Sequence, residues 1–442
     1  MIMQVSIETT SNLERRLTVG VPAERVEVEV NSRLQKAAQK AKLPGFRPGK
    51  VPLKVMHQRY GAGVRQEVLG EVVSQSFQEA VIQEKLRPAG QPSIEPKSLE
   101  PGKDLQYVAI FEVFPDVELV EMKDFPVAKP VAQVKEEDVD NIIEVFRKQQ
   151  GTWDEVKRPA ILTDKVNLNY TGLKDGQEFE GGSAQDSDLE LGSGRMISGF
   201  EDGIVGMKPE DEKTLDLSFP DDYHNEDLKG AAVEFKVKLN KILELVPAAI
   251  DEELFAKYGV EEGGEQRFRE DVSANMAREL KNAVEASVKQ QVMDALLEAH
   301  ESLEVPKALV GQEITAMRQQ MFQQFGGAGN MDLDLESLLP DTMFLENAER
   351  RVKLGLVLAE YISSYELRAD NEQVSKAIEE IASTYESPQE VIDYYQSNPQ
   401  QRSSVESKVL EDQVVEKLLA GANITENESS YQDVIGAEKA EA

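Results

Sequence analysis

Two strings decide how this chain folds: NYTGLKDGQEFEGG at residues 169–182 and LGSGRMISGFEDGIVGMKPEDEKTLDLSFPDDY at residues 191–223. DKVNLNYTG (164–172) leads into the first and VEFKVKLNKI (233–242) follows the second. Both alternate apolar and polar residues, the period of a half-buried strand. Glycines 172, 176, 181, 182, 192, 194, 199, 203 and 206 set the turns between them. Residues 161–246 therefore read as a strand-rich, turn-rich domain.

Working outward, the chain has 442 residues, which at roughly 100–200 residues per domain allows two to four domains. The composition is globular: 40% hydrophobic and 30% charged. There are no cysteines, which excludes disulfides, thiolate metal sites and a thiol nucleophile. Only His57, His224 and His300 are available for a histidine metal centre, so no metal is expected. His224 and His300 are expected to have no special role. The N-terminus alternates and reaches Glu8 early, unlike a signal peptide, and no apolar run approaches a membrane span. A cytoplasmic location and no membrane contact are expected.

C-terminal to the strand-rich domain, residues 248–420 are helical in pattern. Phe268, Val272, Met276, Leu280, Val284, Val288, Val292 and Leu296 repeat every four residues. At 3.6 residues per turn that stripe overshoots by about 40° at each step, so it winds around the helix and its ends face different neighbours. Such a helix suits an arm of an extended domain. FGGAGNMDLDLESLLP (325–340) reads as a flexible loop, and the polar tail after Ala420 (421–442) as disordered and acidic.

N-terminal to it, Pro115, Pro126, Pro130 and Pro159 punctuate a connector, 116–160, holding the amphipathic helix KEEDVDNIIEVFRKQQG. Residues 1–30 read as strands, because VSIETT and VEVEV (Val26–Val30) alternate. Residues 31–42 read as a helix opening at Asn31, 53–85 as another helix, and 105–114 as a last strand. Residues 1–115 carry 16 Lys+Arg against 13 Asp+Glu, although the whole chain has a net charge of -33. No acid falls between Glu29 and Glu67, while Arg33, Lys36, Lys40, Lys42, Arg47, Lys50, Lys54, Arg59 and Arg65 all do. A basic window on an acidic protein points to an anionic partner met locally.

Inside that window lies LPGFRPGKVP (43–52). Its prolines and glycines forbid a helix and hold Phe46, Arg47 and Lys50 on a stiff tip. Rigid aromatics and arginines anchor interfaces well, because little entropy is lost on docking.

Set between two helices after N-terminal strands, this string resembles the ribosome-docking signature of the trigger factor family of bacterial ribosome-associated chaperones. The resemblance implies docking at the exit tunnel of the large subunit, on a ribosomal protein and nearby ribosomal RNA. Phe46, Arg47 and Lys50 would make the contact, supported by Gly45, Pro48 and Gly49. The 161–246 region is similar to an FKBP-type peptidyl-prolyl isomerase over about 85 residues, in the family's order and spacing. Carried over position by position, Tyr170, Phe179, Leu189, Met196, Ile197, Phe200, Tyr223 and Phe235 would line the proline pocket. Glu180 would stand beside it, and the Ile197 amide would donate to the substrate carbonyl. Phe200 stands where drug-binding members have Trp, and Asn225 near a second Tyr, which argues against macrolide binding. The sole tryptophan, Trp153, lies outside the pocket.

The resemblance spans essentially the whole chain and implies a multidomain α+β protein. Its parts would be a ribosome-binding domain (1–115), linker (116–160), FKBP-like isomerase domain (161–246), and elongated helical chaperone domain with arms (247–420). No nucleotide-binding G-x-x-x-x-G-K-[ST] string occurs, so no cofactor is expected and chaperone action would be independent of ATP. Expected partners are the ribosome and nascent or unfolded polypeptides, and the resemblance allows a homodimer when the protein is free. Two other readings stay open: a free cytoplasmic isomerase whose extra domains recruit substrate, and a ribosome assembly factor with a weak isomerase domain.

Overall fold

A computed structural model describes residues 3–41, 43, 44, 46, 51–223, 225–324, 338–385 and 387–441, with side chains to 437. The chain divides into two compact units, one built from 1–128 and 288–425, the other from 129–287 and 426–442.

In the first unit, β1 (Gln4–Thr9), β2 (Glu14–Val21), β3 (Ser93–Ser98) and β4 (Leu105–Glu112) form an antiparallel sheet in the order β1-β2-β4-β3. Helices α1 (Ala23–Lys40) and α2 (Leu53–Gln83) pack on it. Leu17, Val19, Val21, Tyr107, Ala109 and Phe111 alternate along β2 and β4 to meet Val26, Val30, Leu34, Val68, Val72 and Phe77.

The strand reading of residues 1–30 holds for β1 and extends to β2, but Val26–Val30 is helical. Its alternation is overruled by a longer period: Val26, Val30, Leu34 and Ala38 are buried at steps of four, while Val28 between them is 67% exposed. The helix opens at Pro22 rather than Asn31, whose amide oxygen accepts instead from His57 Nε2 at 2.8 Å. A pre-set φ at Pro22 suits a helix start, where an N–H has no partner to lose.

From Val288 onward the described residues of this unit are mainly helical: the end of α6 (Gly264–Ala299), then α7 (Lys307–Gln324) and helices Leu345–Ser364, Asn371–Ala382, Pro388–Ser397 and Pro399–Leu419. The first turn of α7 is capped from β4, where Glu112 Oε2 accepts from the Ala308 amide at 3.0 Å. A carboxylate there satisfies an orphan donor and complements the helix dipole. Residues 325–337 of the expected loop lie outside the described residues, as does His224. His300 is buried, and its ring bridges the Leu296 carbonyl (2.8 Å) and the Val120 amide (3.4 Å), a structural duty.

The second unit holds β6 (Thr152–Val156), β7 (Lys165–Lys174), β8 (Gln177–Glu190), β9 (Glu212–Ser218) and β10 (Ala232–Val246). The sheet order is β6-β10-β7-β8, with β9 also paired to β10. The short helix α4 (Phe200–Ile204) contributes Phe200 and Ile204 to the apolar core of this sheet. A separate core joins α3 (Glu136–Gln149), α5 (Glu252–Lys257), the first half of α6 and the C-terminal helix Tyr431–Glu441.

Two expectations about α6 and the tail meet different outcomes. The winding stripe does serve two neighbourhoods: Phe268, Val272, Met276 and Leu280 lie in the core with α3 and α5, and Val292 and Leu296 in one with Val357, Tyr361 and Val414. The tail is not disordered. Asn423–Glu428 forms a strand paired with β5 (Pro126–Val131), and Tyr431, Val434 and Ile435 are buried. Three apolar residues at i, i+3 and i+4 make one helical face, which the acidic average of the segment conceals. The 116–160 stretch carries β6 and the strand Pro126–Val131 as well as the helix read from it.

Candidate functional site

The candidate site is an aromatic cluster on the sheet of the second unit. Tyr170 and Gly172 share one face of β7, paired in antiparallel register with Val237 and Phe235 of β10. On the other side of β7 the register slips: Leu173 faces Glu178, but Thr171 faces Ser183. Residues 179–182 thus bulge opposite Gly172 and turn Phe179 onto the shared face. A Cβ at Gly172 would lie 2.7 Å from the Phe179 ring and 2.8 Å from that of Phe235. One at Gly182 would lie 2.6 Å from Phe179. The two glycines are the space the Phe179 ring occupies.

Six rings form a connected set. Phe200 lies edge-on to Phe235 at 5.3 Å and to Tyr170 at 5.6 Å. Phe235 meets Phe179 at 6.0 Å, Phe179 meets Phe219 at 5.9 Å, and Phe219 meets Tyr223 at 4.5 Å. Edge-to-face geometry brings positive ring edges onto negative faces, so the set is stiff as well as apolar. Phe200, Phe219, Phe235 and Leu189 are buried and form the floor. Tyr170, Phe179, Met196, Ile197, Leu217 and Tyr223 are half-buried around it.

The structure therefore brings together every apolar residue carried over for the pocket. Glu180 is exposed and outside this cluster. Trp153 lies on β6 paired with Leu245, and Asn225 holds a surface turn by accepting from the Asp227 amide at 3.0 Å. Phe219 and Leu217 are members that sequence reasoning missed. The signal was available in TLDLSF (214–219), where 215, 217 and 219 alternate.

The loop 192–197 forms one wall. Glycines 192, 194 and 199 take φ values of 95°, 66° and 86°, the left-handed region that glycine enters without strain. Glu201, in the first turn of α4, is buried beneath the loop. Its carboxylate accepts from the amides of Gly192 (2.7 Å), Arg195 (3.1 Å), Gly194 (3.2 Å) and Met196 (3.4 Å), and from Ser193 Oγ (3.2 Å). Burial pushes this carboxyl up, but the donors outweigh it and hold Glu201 below the usual carboxylate range. The next amide, that of Ile197, has no acceptor among the described residues. The Tyr170 hydroxyl likewise has none.

At the other candidate site, Gly45, Arg47, Pro48, Gly49 and Lys50 lie outside the described residues, as does Lys42. Phe46 is 38% exposed, and its amide donates to the Leu43 carbonyl at 3.1 Å. Leu43 and Val51, on either side, are buried in the core with α1 and α2, so both ends of the loop are pinned. Within the basic window, Arg33 pairs with Glu67 and Glu71, and Arg65 with Glu27. Lys36, Lys40, Lys54 and Arg59 are exposed and form no ion pair with any described residue.

An antiparallel sheet with a short helix, an aromatic cluster and, among the described residues, an amide without an acceptor has the features of a peptidyl-prolyl isomerase domain of the FKBP type. Residues 157–240 match the family described as FKBP-type peptidyl-prolyl cis-trans isomerase. Residues 3–146 match Bacterial trigger factor protein (TF), and 266–420 match its C-terminus. The chain is 56% identical over 433 residues to a trigger factor of Cellvibrio japonicus, covering 98% of this chain and 99% of that one. It is 51% identical over 440 residues to one of Teredinibacter turnerae (100% and 99%) and 49% over 433 residues to one of Pseudomonas aeruginosa (98% of each). A solved trigger factor chaperone aligns over 94% of this chain and 99% of that one at 18% identity and a TM-score of 0.45, a likeness too loose to add weight. The chain belongs to the trigger factor family, ribosome-associated chaperones that carry an FKBP-type isomerase domain. Among the described residues no helix is long and apolar enough to cross a membrane.

Proposed function

We propose that this protein docks at the large-subunit exit tunnel through residues 45–50, shields apolar nascent segments, and isomerises their Xaa-Pro bonds at the aromatic cluster. The observation that carries the reading is the set of six connected rings beside an unused Ile197 amide.

Rotation about a peptide bond is opposed by about 18–20 kcal/mol of amide resonance. The polarised planar amide is stabilised by water, so an apolar pocket takes that support away. The rings of Tyr170, Phe179, Phe200, Phe219, Phe235 and Tyr223 hold the proline. The Ile197 amide donates to a substrate carbonyl outside that bond and anchors the peptide while the bond turns, so that the twisted state meets a prepared site. No proton changes hands. Glu180, exposed at the rim, contacts the flanking peptide rather than the proline.

At the docking loop, Phe46 on its Leu43 and Val51 anchors seats against a ribosomal protein. Arg47 and Lys50 meet acidic groups there or the phosphates of nearby ribosomal RNA. Residues 1–115 serve docking, 161–246 isomerisation and 247–420 client binding, with 116–160 joining them. Family membership supports a cytoplasmic protein that pairs into a homodimer when off the ribosome.

Two measurements on one preparation test this reading. Wild type should pellet with 70S ribosomes at moderate salt, and Phe46→Ala/Arg47→Ala/Lys50→Ala should stay in the supernatant. Wild type should also accelerate cis/trans exchange of a proline peptide. Equal pelleting of both proteins removes the loop from the docking site. No acceleration removes the pocket, leaving a docking factor with an inactive isomerase domain.

A further inference from the structure

The loop that supplies the Ile197 amide is built around a buried negative charge. Four of its backbone amides and one hydroxyl converge on Glu201, and the three left-handed glycines let consecutive amides point inward together. Such concave runs of N–H groups are anion-binding nests. Here the nest is filled from within, by the side chain at the start of α4.

The order of the amides carries the argument. Those of Gly192, Gly194, Arg195 and Met196 are consumed by the carboxylate, and Ile197 is the first beyond it. Ile197 is also bound from the far side, because its carbonyl accepts from the Phe200 amide at 3.1 Å in the turn that enters α4. The peptide unit bearing the free N–H is therefore flanked by two held ones, the Met196 amide on one side and the Ile197 carbonyl on the other, and both holds depend on Phe200 and Glu201.

We propose that Glu201 is a positioning residue for isomerisation, holding the 192–197 loop so that the Ile197 amide stands ready for the substrate carbonyl. This rests on the pocket reading above. Two features of the site fit it. A carboxylate can accept from several donors at once, whereas a neutral amide side chain of the same size offers one acceptor oxygen and one donor group that would face the loop's N–H groups. The depressed titration of Glu201 keeps it ionised throughout the neutral range, so the loop stays closed on it.

The test uses the full chain and a proline-containing tetrapeptide. Glu201→Gln is nearly isosteric and should lower kcat/KM about tenfold, corresponding to about 1.4 kcal/mol. The loss should fall mainly on kcat, with KM changed less than twofold, since the anchor matters most while the bond turns. In a TROSY spectrum the Ile197 amide resonance should move, while resonances of β7 and β10 stay in place. Gly194→Ala provides a second arm if Glu201→Gln fails to fold. Its Cβ would meet nothing within 4 Å, so it perturbs the loop only through the strained φ of 66°. It should lower kcat in the same way. If a folded Glu201→Gln protein, or failing that Gly194→Ala, keeps wild-type kcat and an unshifted Ile197 resonance, the proposal is wrong. An inactive wild type would instead overturn the pocket reading itself.

Discussion

In the N-terminal sheet, Tyr107 is fully buried and its hydroxyl is used twice, donating to the Val73 carbonyl at 3.2 Å and sharing a 2.9 Å bond with Ser76 Oγ. Beside it, Phe111 lies edge-on to Phe77 at 5.2 Å under α2. In the isomerase sheet, Tyr170 occupies a comparable place on a central strand but is half-buried, with its hydroxyl unpartnered among the described residues. Both sheets are antiparallel and aromatic on their inner face. One is sealed by two long helices. The other carries a five-residue helix, which supplies Phe200 itself and leaves Tyr170, Phe179 and Tyr223 half-buried. Rings under a full cover spend their surface on stability. Rings under a partial cover keep some of it for a ligand.

The largest expected effect tests the sealed side. Phe111→Ala removes a buried ring from a close-packed site, at a cost of about 3–5 kcal/mol. Hydrogen exchange should show β2 and β4 losing protection while β7 and β10 keep theirs. Unchanged protection in β4 would mean that this core is not close-packed and that the contrast fails.

Phe179→Ala tests the open side. The ring is half-buried, so its removal should cost only about 1 kcal/mol, roughly half of a full burial. Isomerase kcat/KM should nevertheless fall more than tenfold, with suppression of client aggregation unchanged. A variant that loses aggregation suppression in parallel would favour a plain isomerase whose other domains only deliver substrate.

The same contrast explains what was legible in the sequence. The pocket residues were legible only through the resemblance to the FKBP family, whose order this chain follows; periodicity alone marks them as core. The floor residue Phe219 is marked only by the alternation of Leu215, Leu217 and Phe219, which shows a shared face of β9 and its exit but not that this face joins the rings. Glu201 escaped because one acid among 82 has no distinguishing composition; only the fold reveals five donors converging on it. VEVEV was misread because five residues fit period two, while the four-step burial of Val26, Val30, Leu34 and Ala38 needs a longer window to see. The tail was misread because average polarity hides a three-residue face. Each failure is a case of a local pattern overruled by tertiary partners the string does not name.

The smallest effect concerns the Tyr107 hydroxyl. Tyr107→Phe deletes one group of a satisfied trio, leaving Ser76 Oγ bonded to the Val73 carbonyl at 3.1 Å. The cost at neutral pH should be about 1 kcal/mol. The pH dependence identifies the cause. Burial pushes the Tyr107 phenol above its usual range, with the Ser76 hydrogen bond opposing. A group whose titration is raised on folding gives its full stability below the unfolded value, near 10. That stability is lost as pH climbs from there through the folded value. Wild type should therefore weaken more steeply than Tyr107→Phe between about pH 9.5 and 11 in urea unfolding. Tyr361, raised to about 12 by burial, and Tyr431, also raised by burial, act in both proteins and cancel in the difference. Equal alkaline slopes would show that the Tyr107 hydroxyl already meets water. The N-terminal sheet would then be less sealed than its geometry implies, and the distinction from the isomerase sheet would rest on the helices alone.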